Sequence, residues 1–196
     1  FIDDFSIKEI GTATGWTDAD QQQIIPQTAL QSYNQLMWFD GSSDYVEIDD
    51  NNAYSFTDGS NDDSQFTLSA WIFPNDATNF PIICKDSSSH REWTLILNSS
   101  SYLECFVFDH SASAYQGRRY ETALSDGKWY HVAATYDGNE ANADAGIKLY
   151  VNGEAVTLAN YSGNTSGSDA YAGMENVYED MTINQKEASL YNQQAK

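Results

Sequence analysis

One stretch in the second half of the chain constrains the fold most, because it reads as consecutive β-strands joined by tight turns. Residues 129–136 are rich in aromatic and β-branched side chains and run into Asp137-Gly138, which predicts a strand entering a turn. Residues 147–151 alternate apolar and polar side chains and stop at Asn152-Gly153, the strongest short signal for a hairpin. The stretch therefore predicts a meander of antiparallel strands.

Short runs of the same kind continue on both sides of this stretch. The predicted strands are residues 36–39, 45–48, 66–73, 82–85, 93–98, 102–108, 129–136, 147–151 and 180–184. In the run 66–73 every second side chain is apolar, beginning with Phe66, and these side chains should face the core. The opposite face carries Thr67, Ser69, Trp71 and Phe73, a mixture of polar and aromatic side chains typical of a carbohydrate groove.

Several motifs, taken in order, resemble those of a known family. They are F-D-G at residues 39–41, D-Y-V-E-I at 44–48, F-T-L-S-A-W-I at 66–72, and then W-Y-H-V-A, Y-D-G and L-Y-V-N-G between residues 129 and 153. Over residues 36–190 the chain resembles the laminin-G-like, concanavalin A-like jelly rolls, which include pentraxins and modules of bacterial and phage adhesion proteins. The resemblance implies an all-β fold, a sandwich of two antiparallel sheets. The same architecture carries lectins, enzymes and inert spacers, so it leaves the function open.

Both ends of the chain depart from the family pattern. Residues 1–11 resemble the closing strand of such a domain, so we expect them to finish a preceding β-domain or to be exchanged between copies. Residues 12–35 are predicted to be a linker, similar to linkers of marine phage virion proteins, with Pro26 interrupting any helix. The predicted jelly roll, residues 36–196, lacks a last strand. Tandem domains are the preferred explanation, ahead of strand donation between copies or a sequence that stops early.

The charge balance limits the classes of partner. Nine Lys and Arg against 29 Asp and Glu give a formal net charge of −20. Such a surface repels phosphate backbones and anionic membranes, which argues against nucleic-acid binding. No apolar run is long enough to cross a bilayer, so membrane insertion is not expected either. The acidity suits solubility, and it also suits sites for hard cations such as Ca²⁺.

Catalysis is one functional possibility, because glucanases share this architecture. Their E-I-D-x-x-E strand sets two glutamates across the glycosidic bond, and Glu47-Ile48-Asp49 matches only its opening. Asn51 and Asn52 stand where the acid belongs, and an amide cannot supply the proton. His131 has no obvious nucleophile near it in sequence. We therefore predict that the protein is not an enzyme.

Calcium binding is a second possibility. The acidic turn before residue 66 offers oxygen ligands from Asp58, Asn61, Asp62 and Asp63, although a solvated turn explains the same residues. The pentraxin resemblance implies another site, whose matching positions lie near Arg91 and Glu92 and at Gln185 and Glu187. Glu92 and Glu187 are its candidate ligands, whereas the positive charge of Arg91 argues against it.

Sugar binding is a third possibility, because Tyr and Trp rings offer flat faces to pyranose rings. Most of the 13 Tyr and five Trp must belong to the core or the ordinary surface. The candidates for contact with a sugar are Trp71, Tyr115, Tyr120, Tyr130, Tyr161 and Tyr171.

The two cysteines are predicted to be free. Cys84 and Cys105 fall on predicted strands with a third strand between them, and two strand spacings of ~4.8 Å exceed the reach of a disulfide. We expect both thiols to be buried.

Together these features predict a non-catalytic β-sandwich module of an extracellular or virion-surface structural or fibre protein. Its expected role is attachment or assembly, with weak glycan binding, and its expected partners are cell-surface carbohydrate and neighbouring copies or domains of the same assembly. A calcium-dependent lectin is the alternative, and a glycoside hydrolase is less favoured. Calcium is the only cofactor that the sequence suggests.

Overall fold

The structure of the chain is a computed structural model that describes residues 37–57, 62–139, 143–163 and 170–184. Contacts divide the chain into two units, residues 1–38 and 39–196, and every described element lies in the second. The predictions for residues 1–11 and 12–35, and for a missing last strand, lie outside the described residues. None of the described helices has the length and apolar character that a membrane crossing requires.

Eleven strands make up the two sheets of the described part of the chain. In chain order they are β1 (Val46–Ile48), β2 (Phe66–Ile72), β3 (Phe80–Asp86), β4 (Arg91–Leu97), β5 (Leu103–Asp109), β6 (Ala114–Tyr120), β7 (Tyr130–Tyr136), β8 (Lys148–Val151), β9 (Glu154–Ala155), β10 (Ala159–Gly163) and β11 (Met181–Ile183). A 3-10 turn at Asn52–Tyr54 and one helical turn, α1 (Ala143–Gly146), lie in the connections.

The strands form two antiparallel sheets. The seven-stranded sheet has the order β1-β11-β3-β4-β5-β6-β10, and the four-stranded sheet has the order β2-β7-β8-β9. The antiparallel two-sheet, all-β prediction is therefore confirmed.

The meander predicted in the second half of the chain is present as β7, β8 and β9. Ala134 pairs with Leu149 across β7 and β8. Asn152 and Gly153 form the next turn with φ angles of 54° and 84°, the left-handed values that a two-residue hairpin turn demands. The hairpin prediction from Asn152-Gly153 is confirmed, because this dipeptide tolerates those angles better than other residues do.

The main core lies between the sheets. Alternate residues of the strands point into it, among them Phe66, Leu68 and Ile72 of β2, Trp93, Leu95 and Leu97 of β4, Leu103, Cys105 and Val107 of β5, and Val132, Ala134 and Tyr136 of β7. Burying each of the larger side chains contributes about 1.5–3 kcal/mol, so this layer supplies most of the stability of the fold.

The seven-stranded sheet also buries part of its other face. A second cluster contains Cys84, Ile96, Phe106 and Phe108, and all seven residues of β5 are buried. Cys84 therefore lies on one face of the sheet and Cys105 on the other. Both thiols are free and buried, as predicted.

A buried acid lies in the same strand as this second cluster. Glu104 of β5 is fully buried, and its Oε1 accepts a hydrogen bond of 2.6 Å from Asn98 Nδ2. Burial raises the pKa of Glu104 to about 7, against the smaller opposing effects of Asn98 and Arg119. Ionisation of the Glu104 carboxyl group at this buried position costs free energy.

Four strand predictions were wrong or incomplete, and one of them is the omission of the two-residue strand β9. β6 was not predicted, because its sequence AYQGRRY carries polar side chains on most positions. No strand was predicted at residues 159–163, which form β10 opposite β6. Residues 37–39 were predicted to be a strand and are not one in the structure.

Candidate functional site

The outer face of the four-stranded sheet presents four aromatic side chains, which we call the aromatic face: Trp71 and Phe73 are exposed, and Trp129 and His131 are half-buried. The alternation along β2 creates it: the residues beginning with Phe66 point inward, and those beginning with Thr67 point outward. Trp71 keeps 57% of its surface exposed and Phe73 keeps 36%. Single exposed apolar side chains are common, but apolar side chains grouped on one face mark interaction sites more often.

The aromatic face is organised as two pairs of rings. Trp71 lies opposite His131 in the β2–β7 register, with ring centroids 5.2 Å apart and an interplanar angle of 53°. Phe73 and Trp129 form a second tilted pair, with centroids 5.4 Å apart. Both pairs bridge the ends of β2 and β7, so the four rings share one end of the sheet.

The backbone around His131 is fixed by the β8–β9 turn. The His131 N–H donates to Asn152 Oδ1 over 3.0 Å, and the Asn152 N–H donates to the His131 carbonyl over 2.7 Å. This pair of bonds holds the turn beside the rings. The backbone that carries the His131 ring is therefore held in place before any ligand binds, which lowers the entropy cost of binding.

Polar groups continue the same face away from the rings. Ser69 and Thr67 precede Trp71 in β2 and lie on the same face. Thr135 of β7 pairs with Thr67. Hydroxyls beside flat apolar rings match the two kinds of surface that a sugar presents. The prediction of a polar and aromatic outer face at Thr67, Ser69, Trp71 and Phe73 agrees with this placement.

The other predicted sugar contacts do not gather at Trp71. Tyr115 lies on β6 and packs against Phe106 and Phe108 in the second cluster, on the seven-stranded sheet. Tyr120 and Tyr130 are partly buried against the main core. The Tyr130 hydroxyl accepts a hydrogen bond from the Ser125 N–H, a structural contact. The structure thus separates the three tyrosines from the aromatic face.

Tyr171 is a core residue, so its expected place on the surface was wrong. Its ring is buried, and its hydroxyl donates to Asp63 Oδ2 over 2.5 Å. Burial and the charge of Asp63 raise the pKa of the Tyr171 hydroxyl, which keeps it a donor. The side chain of Tyr161 lies outside the described part of the structure, although its backbone belongs to β10.

Two members of the aromatic face were missed by the sequence reasoning. His131 was considered only as a catalytic residue, and Trp129 was used only as part of the strand and the motif that begin there. The alternation of β7 held the missing signal, because its buried residues Val132 and Ala134 put His131 on the outer face. Only the pairing register then places His131 beside Trp71.

Asp63, a predicted calcium ligand, already has three donors. The hydroxyls of Tyr136 and Tyr171 reach its Oδ2, and the Met174 N–H reaches Oδ1 over 2.7 Å. The residue is buried, so this carboxylate ties β7 and the segment around residue 172 to the start of β2. In the structure Asp63 acts as an internal acceptor in place of the expected metal ligand.

Glu92, a further predicted calcium ligand among the described residues, holds an ammonium group. Lys85 is fully buried, and its Nζ lies 2.9 Å from Glu92 Oε1, 2.7 Å from Asp50 Oδ1 and 2.6 Å from the Glu179 carbonyl. Burial raises the pKa of Glu92, and the bond to Lys85 opposes the shift. The positive charge beside Glu92 is thus the ammonium group of Lys85, which belongs to the chain itself.

Arg91 is also accounted for by contacts within the chain. Its Nε donates to Asp86 Oδ1 over 3.0 Å, and its guanidinium stacks 3.9 Å above the Phe108 ring. No three His, Cys, Asp or Glu side chains come together as a metal site within the described ranges. Asp62 is exposed, whereas Asp58, Asn61, Gln185 and Glu187 lie outside those ranges. Calcium binding stays a prediction.

The strand compared with glucanases has a structural explanation. Glu47 lies on β1 opposite Thr182 and is exposed, as is Asp49. Asn51 caps the 3-10 turn, because its side chain accepts a hydrogen bond from the Ala53 N–H. Asn52 Oδ1 accepts from Asn176 Nδ2 over 3.0 Å. Both amides therefore have structural partners, and the absence of catalysis stays a prediction.

Comparisons with known proteins agree with this fold. Residues 40–182 match the family model described as the concanavalin A-like lectin/glucanases superfamily. No curated protein matches the sequence.

Two solved structures are similar to the chain. A native heptameric SAP-like pentraxin from Limulus polyphemus shares 16% identity at a TM-score of 0.37, covering 63% of this chain and 52% of its own. A protein from Bacteroides ovatus proposed to bind carbohydrate shares 18% identity at a TM-score of 0.40, covering 76% of this chain and 44% of its own. The chain spans about half the length of each.

Proposed function

Since this chain belongs to the concanavalin A-like lectin/glucanase superfamily, we propose that it is a non-catalytic module that binds neutral carbohydrate and serves attachment or assembly. The superfamily contains lectins, which bind sugars, and glucanases, which cleave them. The function of this chain therefore has to be argued from the residues of its site. The aromatic face is the observation that carries the proposal, because Trp71 exposes more than half of its surface on a rigid strand.

The chemistry of the aromatic face favours sugars over other small ligands. The apolar C–H faces of a pyranose match the exposed rings of Trp71 and Phe73, and its hydroxyls match Ser69 and Thr67. A shallow sheet surface buries little of a ligand, so we expect weak affinity and extended glycans, which can contact both ring pairs at once.

The net charge selects among glycans. A chain of net charge −20 repels sulfated and carboxylated sugars over a Debye length of about 8–10 Å. We therefore propose neutral glycans as the ligand class.

The choice of binding over cleavage rests on the carboxylates. A glycosidase needs an acid and a second carboxylate on the two sides of one bond. Glu47 and Asp49 are exposed at β1, and the neighbouring Asn51 is engaged in a cap. The described residues of β2 and β7 that point outward include no Asp or Glu that could act as the acid: they are Thr67, Ser69, Trp71, His131, Ala133 and Thr135.

The place of action is part of the same proposal. We place the module outside a cell or on a virion surface, within a structural or fibre protein. The motif resemblance to phage and bacterial adhesion modules supports this placement, and so does an acidic surface that keeps the module soluble.

Replacing Trp71 tests the proposal. Neutral glycans are first screened on an array, and affinity for the best of them is then measured by calorimetry. We expect Trp71→Ala to weaken binding roughly threefold to tenfold, the effect of losing one aromatic contact. Its melting temperature should stay close to that of the wild type, because the ring is largely exposed.

Tyr45→Ala is the matched control, since Tyr45 exposes 49% of its surface and precedes β1 on the other sheet. It should leave the affinity unchanged. Absence of any neutral glycan that binds, or equal losses in the two variants, would refute glycan binding at the aromatic face.

A further inference from the structure

The buried ammonium group of Lys85 lies among oxygen atoms from separate segments of the chain, which we call the oxygen cage. Lys85 Nζ is 2.7 Å from Asp50 Oδ1, 2.9 Å from Glu92 Oε1 and 2.6 Å from the Glu179 carbonyl oxygen. Two of these oxygens belong to carboxyl groups and the third to the backbone. Carboxylate and carbonyl oxygens are the ligands that hard divalent cations take in proteins. The oxygen cage therefore surrounds a cation, and that cation belongs to the chain itself.

The charges of the oxygen cage match a divalent ion more closely than one ammonium group. Asp50 and Glu92 bring two negative charges when both are ionised, whereas Lys85 brings one positive charge. Glu92 Oε2 is buried and has no hydrogen-bond partner in the described part of the chain. Because a buried carboxylate oxygen without a partner costs free energy, this atom is a ligand that the ammonium group leaves unused.

The dimensions of the oxygen cage favour calcium among the divalent ions. The distances of 2.6–2.9 Å around Nζ lie close to the roughly 2.3–2.6 Å at which Ca²⁺ binds oxygen, and well above the roughly 2.0–2.1 Å that Mg²⁺ demands. Both carboxylate oxygens of Asp50 and of Glu92, with the carbonyl, would supply most of the roughly six to eight ligands that Ca²⁺ takes. Asp50 keeps 20% of its side chain exposed, so water can reach the site and complete the set.

We propose that the oxygen cage is a calcium site that Lys85 keeps closed. While the ammonium group fills the cage, an ion does not fit, so the wild type needs no metal ion at this position. Removal of the ammonium group opens the cage to Ca²⁺, which then links the same segments that Lys85 links in the wild type. The oxygen cage shares no residue with the aromatic face, and this inference does not depend on glycan binding.

Lys85→Ala tests the proposal, because it removes the ammonium group and leaves space for an ion. We expect a dissociation constant for Ca²⁺ of about 0.1–1 mM, the range of extracellular calcium modules. Thermal unfolding is compared in EDTA and in about 10 mM CaCl₂, where such binding should raise the melting temperature by about 3–10 °C. The same concentration of MgCl₂ should raise it less, because the oxygen cage is too wide for Mg²⁺.

Lys85→Met is the matched control. It loses the same charge, but its unbranched apolar side chain fills the space that Lys85→Ala leaves open. Calcium should raise the melting temperature of Lys85→Met and of the wild type by less than about 2 °C, a shift that measures binding elsewhere on the acidic chain. Adding Glu92→Gln to Lys85→Ala should abolish most of the gain, because it removes one carboxylate from the cage.

A Lys85→Ala variant that is unfolded in EDTA still tests the proposal. Calcium should then restore the circular dichroism spectrum of the folded wild type, because binding drives folding. If calcium alone restores no folding, the comparison is repeated in trimethylamine N-oxide, an osmolyte that favours the folded state. The proposal is overturned if calcium stabilises Lys85→Ala no more than Lys85→Met, or if the gain survives Glu92→Gln.

Discussion

Glu104 shows at the scale of one residue how burial makes stability depend on pH. Its folded pKa of about 7 lies above the usual 4.5. Between these two values the unfolded chain has lost a proton that the native state still holds. The native state then binds more protons, and the unfolding free energy falls as pH rises through this window.

Glu104→Gln should remove this pH dependence. At pH 8 the wild type must bury a carboxylate while the variant buries a neutral amide, so the variant should be more stable by about 1–3 kcal/mol. At pH 4 the advantage should vanish, because Glu104 is then protonated in both states. Urea unfolding at the two pH values measures the difference.

Glu154→Gln on β9 is the control, because Glu154 is exposed. It should change the unfolding free energy by less than about 0.5 kcal/mol at both pH values. An equal gain for Glu104→Gln at pH 4 and pH 8 would show that ionisation of Glu104 is not the cause.

Single residues also show how far sequence reasoning reaches. Trp71 could be assigned to the outer face because the period of two in β2 fixes it. Tyr171 could not be assigned, because it follows no strand pattern and its burial depends on Asp63, more than a hundred positions away. The same limit applies to Glu92, whose partner Lys85 is set by the β3–β4 register.

At the scale of secondary-structure elements, Lys85 is the point where several of them meet. Its ammonium links β3 to Asp50 after β1, to Glu92 of β4, and to the Glu179 carbonyl before β11. Since the ammonium is fully buried, its loss would strand the carboxylate of Glu92 in a site of low dielectric.

Lys85→Met should therefore destabilise the fold by about 3–5 kcal/mol, the cost of breaking one half of a buried ion pair. Lys148→Met, at an exposed position of β8, should cost less than about 0.5 kcal/mol. Urea unfolding measures both. Adding Glu92→Leu to Lys85→Met should recover part of the loss, and a double variant that is additive would show that the two charges are not coupled.

The elements that sequence predicts best are those with strong alternation. β2, β7 and β8 were found within one or two residues, because their apolar positions repeat every second residue. β6 was missed because Gln116, Arg118 and Arg119 hide its pattern, although its place between β5 and β10 makes it a strand. Pairing with neighbours overrides local composition in such cases.

At the scale of the whole molecule, the reactivity of the two cysteines measures how often the domain unfolds. They lie in different clusters on opposite faces of one sheet, and burial raises the pKa of each to about 12. At pH 8 neither should form an appreciable amount of thiolate or meet a reagent in the native state.

We expect an aromatic disulfide reagent to modify neither thiol in the folded protein and both in denaturant. Because both thiols are buried, each should react only when the domain unfolds, so Cys84 and Cys105 should react at the same slow rate, which tracks the unfolding free energy. Mass spectrometry of a reaction time course separates the two sites. Rapid modification of one cysteine alone would mean that its side of the sheet opens independently.

The pairing of β1 with β11 has a consequence for biosynthesis. Among the described strands, Val46–Ile48 joins the seven-stranded sheet through Met181–Ile183 alone, and the two strands lie near opposite ends of the described chain. While a ribosome is still making the residues between them, the first strand has no partner to hold it. Long-range pairing of this kind is slow, so the nascent chain would expose apolar strands to chaperones until translation passes Ile183.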